Sequence, residues 1–367
     1  MDSHGEVHSP PHLVEEIYSH LIPLLEPYEH IDLYEPGIGP GIFKDLYPLK
    51  SKTTYYGCDI KYKHNHPIVY GDFFEQTLDT YDIILGNLPF NQGLVHTPCN
   101  KTNHTKSKTL WTKMLKICIQ HIKPNGYGAF IIPCIWLKPD KEQIYYELTS
   151  RKILFLKTYD CVESNKLFRY KCQTPTCYVI FQNVFYQKLN IWEHNTFIDF
   201  PLEPHHCIPT KNISLLKRSI HYIKDMKRLS PIKVANTKKR IETKDGYFYI
   251  TSITNTINGF YSSIPCCYHN VPKIILANKL KPIPFKDNEG KYGLYGRDIY
   301  IFVGEDLDKI YDFLCIPIIQ TIIKSFTIRM NFYEKYIFDY LPDPRYCDVN
   351  EYISEIEKKN DVYETHH

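Results

Sequence analysis

Four apolar runs of β type, each ending abruptly in a glycine or a polar side chain, limit what this chain can fold into. Residues 31–34 open into Glu35-Pro36-Gly37-Ile38-Gly39-Pro40-Gly41, and residues 55–58 stop at Asp59. Residues 67–70 run into Gly71-Asp72-Phe73-Phe74, and residues 81–85 stop at Gly86-Asn87. Near-continuous apolar strands are those buried on both faces, as in a parallel sheet covered by helices. Such a sheet presents its functional groups at the carboxyl ends of its strands. The four endings are therefore expected along one edge of one sheet, in βαβ order.

Each ending has a chemistry. Glycines at alternate positions, between a strand and a helix, let the backbone turn sharply and approach a ligand closely. A carboxylate about twenty residues on, closing the second strand, suits ribose hydroxyls. That residue is Asp59. Asp72 can accept from an adenine amino group while Phe73 packs on the ring. Asn87-Leu88-Pro89-Phe90 follows the fourth strand, and Asn-x-Pro-aromatic suits methyl transfer to an exocyclic amine on a planar substrate. The lone pair of that amine is delocalised into its ring. Acceptors on its N–H groups, here the Asn87 oxygen and the Leu88 carbonyl, draw it toward tetrahedral geometry, and Phe90 offers a face for the ring.

The remaining chain extends this frame. Ser9 and Pro10 suit a helix start, and Leu13, Val14, Ile17 and Leu21 form one face of that helix. A helix is expected over 110–122, a turn at 123–126 and a fifth strand over 127–133. Residues 151–159 and 176–182 read as an antiparallel pair completing the sheet, with 166–170 a loop whose aromatic either stands exposed or simply packs. The βαβ rhythm stops near residue 188. Residues 211–244 are rich in Lys and Arg, including Lys238-Lys239-Arg240, and read as a surface facing a polyanion. Strands are expected at 273–277 and 295–303, and a helix over 306–325 kinked at Pro317. Residues 351–359 read as a charged helix or tail.

Composition sets bounds on partners. With 44 basic and 41 acidic residues, the net charge of +3 makes any basic surface local. Met1-Asp2-Ser3-His4 lacks the basic and apolar regions of a signal peptide, and the apolar stretch 129–137 is interrupted by Pro133. An intracellular, soluble protein is expected. The 12 cysteines are then expected as free thiols. Cys172-x4-Cys177 and Cys266-Cys267 lack partner pairs for zinc, so no metal is expected.

With these residues in order, the chain resembles the gamma-class amino-methyltransferases of restriction–modification systems, which act on adenine N6 in DNA. Gly5-Glu6-Val7-His8-Ser9-Pro10 is similar to the family's amino-terminal G-E-V-F-T-P element, Glu35 to Gly41 to its loop D-P-x-x-G-x-G, and Asp72-Phe73 to its D-F pair. Asn87-Leu88-Pro89-Phe90 is similar to its N-P-P-Y/F, with Leu88 the main departure, and Leu341-Pro342-Asp343-Pro344 to the end of some of its target-recognition domains.

The resemblance implies a Rossmann-like class I S-adenosylmethionine methyltransferase sheet over 1–188. A smaller α+β target-recognition domain over 189–345 and a charged helix or tail over 346–367 would follow. It implies S-adenosylmethionine held by Ser9, Pro10, Glu35, Gly37, Gly39, Gly41, Asp59, Ile60, Asp72, Phe73 and Asn87. Catalysis would rest on Asn87, Leu88, Pro89 and Phe90. The substrate would be a flipped adenine in double-stranded DNA, held between Phe90 and Phe168, with Lys238, Lys239 and Arg240 on phosphates. A cognate restriction endonuclease is the implied protein partner. Asn-Leu-Pro-aromatic is also similar to the turn of ribosomal RNA adenine dimethyltransferases. Protein-glutamine methylation, and nucleic-acid binding by an inactive methyltransferase fold, are further readings of the same residues.

Overall fold

The structure, a computed structural model, describes residues 7–90, 109–169, 172, 174–186, 188–201, 206–236, 242–253, 256–266, 268–277, 283–329 and 334–358. The chain divides into two compact units, Met1–Thr210 with Ile328–Met330, and Lys211–Thr327 with Asn331–His367.

The first unit is built on a sheet of β1 (Ile31–Pro36), β2 (Thr53–Asp59), β3 (Ile68–Tyr70), β4 (Tyr81–Asn87), β5 (Ile122–Pro133), β6 (Arg151–Tyr159), β7 (Thr176–Phe185), β8 (Lys188–Glu193) and β9 (Thr196–Pro201). Their order is β3-β2-β1-β4-β5-β7-β6-β8-β9. The first five strands pair in parallel and β7 runs antiparallel to both β5 and β6. This is the Rossmann-like class I sheet expected from the sequence. Its order reverses between β1 and β4, so the crevice of the fold opens beyond Pro36 and Asn87.

Pleating decides which side chains face which helix. Ile83 and Leu85 of β4 share a core with Leu33 of β1 and with the stripe Leu13, Val14, Ile17 and Leu21 of α1 (Pro11–Leu25). Short helices complete the unit: α2 (Ile42–Leu46), α3 (Trp111–Gln120), α4 (Ile144–Thr149) and α5 (Cys161–Leu167). The expected turn at 123–126 is absorbed into β5, where Asn125 takes a positive φ of 66°.

The sheet continues past the boundary expected at 188. Leu189 and Ile191 of β8 pair in parallel with Ile153 and Leu156 of β6, and both are buried. A tight turn at His194-Asn195, with φ of 49° and 63°, returns the chain as β9. Trp192 and Phe197 of this hairpin then pack around His20 of α1, whose ring stacks on Phe155 at 4.7 Å.

In the second unit, α6 (Ile213–Tyr222) precedes strands β10 (Ile232–Asn236), β11 (Glu242–Thr243), β12 (Tyr247–Ile253), β13 (Ile257–Ser262), β14 (Lys273–Ala277), β15 (Pro284–Asp287), β16 (Gly293–Leu294) and β17 (Gly296–Phe302). They form two four-stranded sheets, β10-β17-β14-β15 and β11-β13-β12-β16, sharing a core of Val234, Ile250, Ile275 and Ile301. The Lys273 ammonium and Asp287 carboxylate, both buried, meet at 2.5 Å, and Asp287 also accepts from the amides of Lys291 and Tyr292.

Where one kinked helix was expected, α7 (Leu307–Cys315) and α8 (Pro317–Lys324) are separate. Ile316 between them is extended, with φ −65° and ψ 129°, because the residue before a proline is disfavoured in helix. Pro317 instead starts α8, where its missing N–H is not required. Of the expected charged helix or tail, the helix forms. Tyr352 and Ile356 of α9 (Val349–Glu357) are fully buried, Tyr352 shares a 2.7 Å hydrogen bond with Ser219, and Arg218 donates to the Ile356 carbonyl.

Candidate active site

At the carboxyl edge of the first sheet, a cavity of about 320 Å³ gathers most of the residues singled out in the sequence. Ser9, Glu35, Gly37, Gly39, Asp59, Ile60, Asp72, Phe73 and the whole turn Asn87, Leu88, Pro89 and Phe90 line it. They come from four strand ends and the segment before α1, which parallel pairing brings to one edge.

The glycine loop is shaped by its backbone. Gly37 and Gly39 take φ of 74° and 59°, left-handed backbone that glycine adopts without strain. The amides of Gly37 and Ile38 both donate to the Cys58 carbonyl, which ties the loop to the end of β2. Gly57 is required for a separate reason, since a Cβ there would lie 2.5 Å from the Glu35 carbonyl oxygen.

Asp59 organises the floor. Its Oδ2 accepts from the Gly39 amide at 2.6 Å, and its Oδ1 from the amides of Lys61 and Tyr62 at 2.8 and 2.7 Å. A carboxylate offers about four lone-pair directions, so the buried group retains capacity for a ligand hydroxyl. Glu35, 1% exposed, accepts from the Tyr55 hydroxyl at 2.5 Å. Burial pushes its carboxyl well above the ordinary range, the Tyr55 bond pulls it back, and the charge of Asp59 raises it further. Asp72 caps a short 3₁₀ turn through the Phe74 amide at 2.9 Å, above the buried ring of Phe73. The carboxylates of Asp59 and Asp72 in one cavity favour a ligand carrying positive charge, and the aromatic wall of Phe73 and Phe74 favours a planar group.

Asn87 is held from an unexpected direction. Its side-chain Nδ2 donates to the Val7 carbonyl at 2.9 Å. The amide is thereby oriented, with Oδ1 engaged by no donor among the described residues. Leu88 packs its side chain inward at 1% exposure, and Phe90 is half-buried with its carbonyl accepting from Leu110.

Other expectations fall elsewhere. Pro10 caps α1 and Gly41 caps α2, both beside the cavity rather than in its lining. Phe168 is not an exposed loop residue. It ends α5 at 2% exposure, inside the core with Leu13, Cys172 and Tyr178, because the capping box of Asp160 and Glu163 turns that segment into a helix. Gly5, Glu6, Lys238, Lys239 and Arg240 lie outside the described residues. Sequence reading missed Val7, whose contribution is a main-chain carbonyl. It also missed Tyr55, and His64, whose Nε2 lies 2.9 Å from the Gly39 carbonyl. Tyr55 lies four residues before Asp59 in the same strand, the one available hint.

Among the described residues no cluster suited to a metal ion occurs, and no helix is long and apolar enough to cross a membrane.

No protein-family model matches the chain, and no curated protein matches its sequence. Among solved structures it is similar to a protein described as a class I S-adenosylmethionine-dependent methyltransferase from Listeria monocytogenes. That likeness has 11% identity, covers 51% of this chain and 66% of that one, and has a TM-score of 0.40. A modification subunit described as belonging to a type I restriction enzyme of Vibrio vulnificus YJ016 is similar at 14% identity over 55% of this chain and 51% of that one, with a TM-score of 0.37. The type I restriction enzyme EcoKI M protein is similar at 14% identity over 51% and 48%, also with a TM-score of 0.37. The chain thus spans between 48 and 66% of the length of these proteins. The fold assignment rests on the strand order itself.

Proposed function

We propose that the chain is an S-adenosylmethionine-dependent methyltransferase acting on the N6 amine of adenine in double-stranded DNA. The observation that carries this reading is the oriented amide of Asn87, its Oδ1 uncommitted, at the mouth of an acidic cavity behind a glycine loop.

The cavity residues fit the cofactor. Asp59 would accept from the ribose hydroxyls, Asp72 and Phe73 would hold the adenine, and Glu35 with the glycine loop would hold the cationic amino-acid end. Ser9 and Ile60 close the rim. The cofactor, when bound, supplies an electrophilic methyl group.

The chain's own residues do the rest. Asn87 Oδ1 and the Leu88 carbonyl accept the two N–H groups of the substrate amine. Both acceptors strengthen as positive charge develops on that nitrogen, so they favour the transition state over the ground state. Phe90 holds one face of the base. Pro89 keeps the turn rigid. In duplex DNA the amine is paired, so the adenine leaves the stack to reach Asn87. The second unit reads the target site, with Lys238, Lys239 and Arg240 on phosphates. The implied protein partner is an endonuclease cutting the same unmethylated site.

The experiment uses purified protein, labelled S-adenosylmethionine and duplex DNA, followed by nuclease digestion. N6-methyladenine at one short motif is expected. Label only in ribosomal RNA or in protein overturns the DNA assignment, and label in N4-methylcytosine corrects the base.

A further inference from the structure

Residues 60–67 connect β2 to β3, which lie side by side in parallel. A parallel crossover ordinarily takes about a dozen residues or more and carries a helix. This one is too short for that and contains no helix. Polar contacts fix its course instead. At its start the amides of Lys61 and Tyr62 donate to Asp59 Oδ1, and at its end the Ile68 amide donates to the Asn65 carbonyl at 3.2 Å. In its middle stands His64, half-buried, with Nε2 2.9 Å from the Gly39 carbonyl.

A carbonyl oxygen only accepts, so His64 is the donor and carries a proton on Nε2. Gly39 is then held on both sides. Its amide donates to Asp59 Oδ2 at 2.6 Å while its carbonyl accepts from His64. The ring also lies over Gly41, where a Cβ would meet His64 Cε1 at 3.7 Å. Both segments that this bond joins face the ligand cavity: Gly37 and Gly39 line it from the glycine loop, and Lys61 and Tyr62 from the 60–67 connection. His64 itself lies outside that lining, so it acts through what it holds.

We propose that His64 is a positioning residue for S-adenosylmethionine, tying the 60–67 connection to the glycine loop so that the two segments meet the cofactor as one preformed wall. This rests on the cofactor reading above and deepens it. Without the bond, the connection keeps its tie to Asp59 only at its start. The segment must then be ordered when the cofactor binds, and that ordering subtracts from affinity.

The test is calorimetry of the full-length protein with S-adenosylhomocysteine, which has no methyl group to transfer. His64→Phe keeps a ring over Gly41 but removes the donor, and is expected to weaken binding about two- to tenfold, the range of one neutral hydrogen bond. His64→Gln brings an amide N–H to the same carbonyl and is expected to stay near wild type. Hydrogen exchange on the ligand-free protein gives a second readout. The Lys61 and Tyr62 amides should exchange faster in His64→Phe than in wild type or His64→Gln. Wild-type affinity and exchange in His64→Phe, or an equal loss in both variants, overturns this inference alone. A wild-type protein that binds no S-adenosylhomocysteine overturns it together with the cofactor reading. Because His64 is half-buried on a surface connection, both variants are expected to fold, and matched thermal unfolding checks this.

Discussion

Asn87 donates its side-chain amide to the main-chain carbonyl of Val7 across 2.9 Å, joining positions 80 residues apart. The bond fixes which end of the amide faces the cavity. Asn87→Ala removes the acceptor itself and is expected to lower kcat by about a hundred- to a thousandfold while cofactor binding is retained. Asn87→Asp keeps an acceptor toward the substrate but sets a carboxylate against the Val7 carbonyl. It should therefore lose activity and loosen the segment before α1. Single-turnover kinetics with hydrogen exchange at residues 7–9 separates the two effects, and substantial turnover by Asn87→Ala would falsify the mechanism.

Asp59 serves the loop before it serves a ligand, since three backbone amides point at its carboxylate. Asp59→Ala is expected to weaken S-adenosylmethionine binding roughly ten- to a hundredfold, the loss of a charge-assisted hydrogen bond. Asp59→Asn keeps one acceptor oxygen and should fall between. Calorimetry measures both, and wild-type affinity in a folded Asp59→Ala protein removes this residue from the site.

Glu35 predicts a pH dependence. Burial raises its pKa above the ordinary 4.5, so the folded protein holds a proton there that the unfolded chain has already released. The sign follows: in the ligand-free protein this contribution to stability is largest below 4.5 and declines as pH rises through the folded value. A cationic ligand favours the carboxylate, so cofactor affinity should increase over that same window and binding should release a proton. Calorimetry in buffers of different ionisation enthalpy reads the proton directly, and Glu35→Gln should abolish the release.

His20 works in the opposite direction. Burial among Phe155, Trp192 and Phe197 lowers its pKa below the ordinary 6.5, Lys157 adds to this, and Glu16 opposes it. The folded state therefore resists protonation. Stability is fully present above 6.5 and is lost as pH falls toward the folded value. Urea denaturation between about pH 5 and 7 should show this loss, and His20→Phe should flatten it. An identical pH profile in the variant would detach β8 and β9 from this role.

Much of the first unit was legible because its signals are local. Apolar runs of β length, ended by glycine or a carboxylate, specify strands and their polar endings, and βαβ order places those endings together. That accounts for Glu35, Asp59, Asp72 and Asn87 meeting at one cavity. The α1 stripe of Leu13, Val14, Ile17 and Leu21 was readable from its spacing for the same reason.

What tertiary structure alone decided depended on which surfaces found partners. Sequence left Phe168 open between exposure and packing, and a capping box that turns its stretch into α5 sends the ring into the core. Residues 188–201 lie beyond the recognisable βαβ rhythm, and pairing with β6 makes them part of the sheet. Tyr352 and Ile356, within a charged helix, are buried because α6 offers them a complementary face. The Val7 carbonyl has no side-chain signature at all. A main-chain group acquires a role only when folding brings Asn87 within hydrogen-bond distance of it.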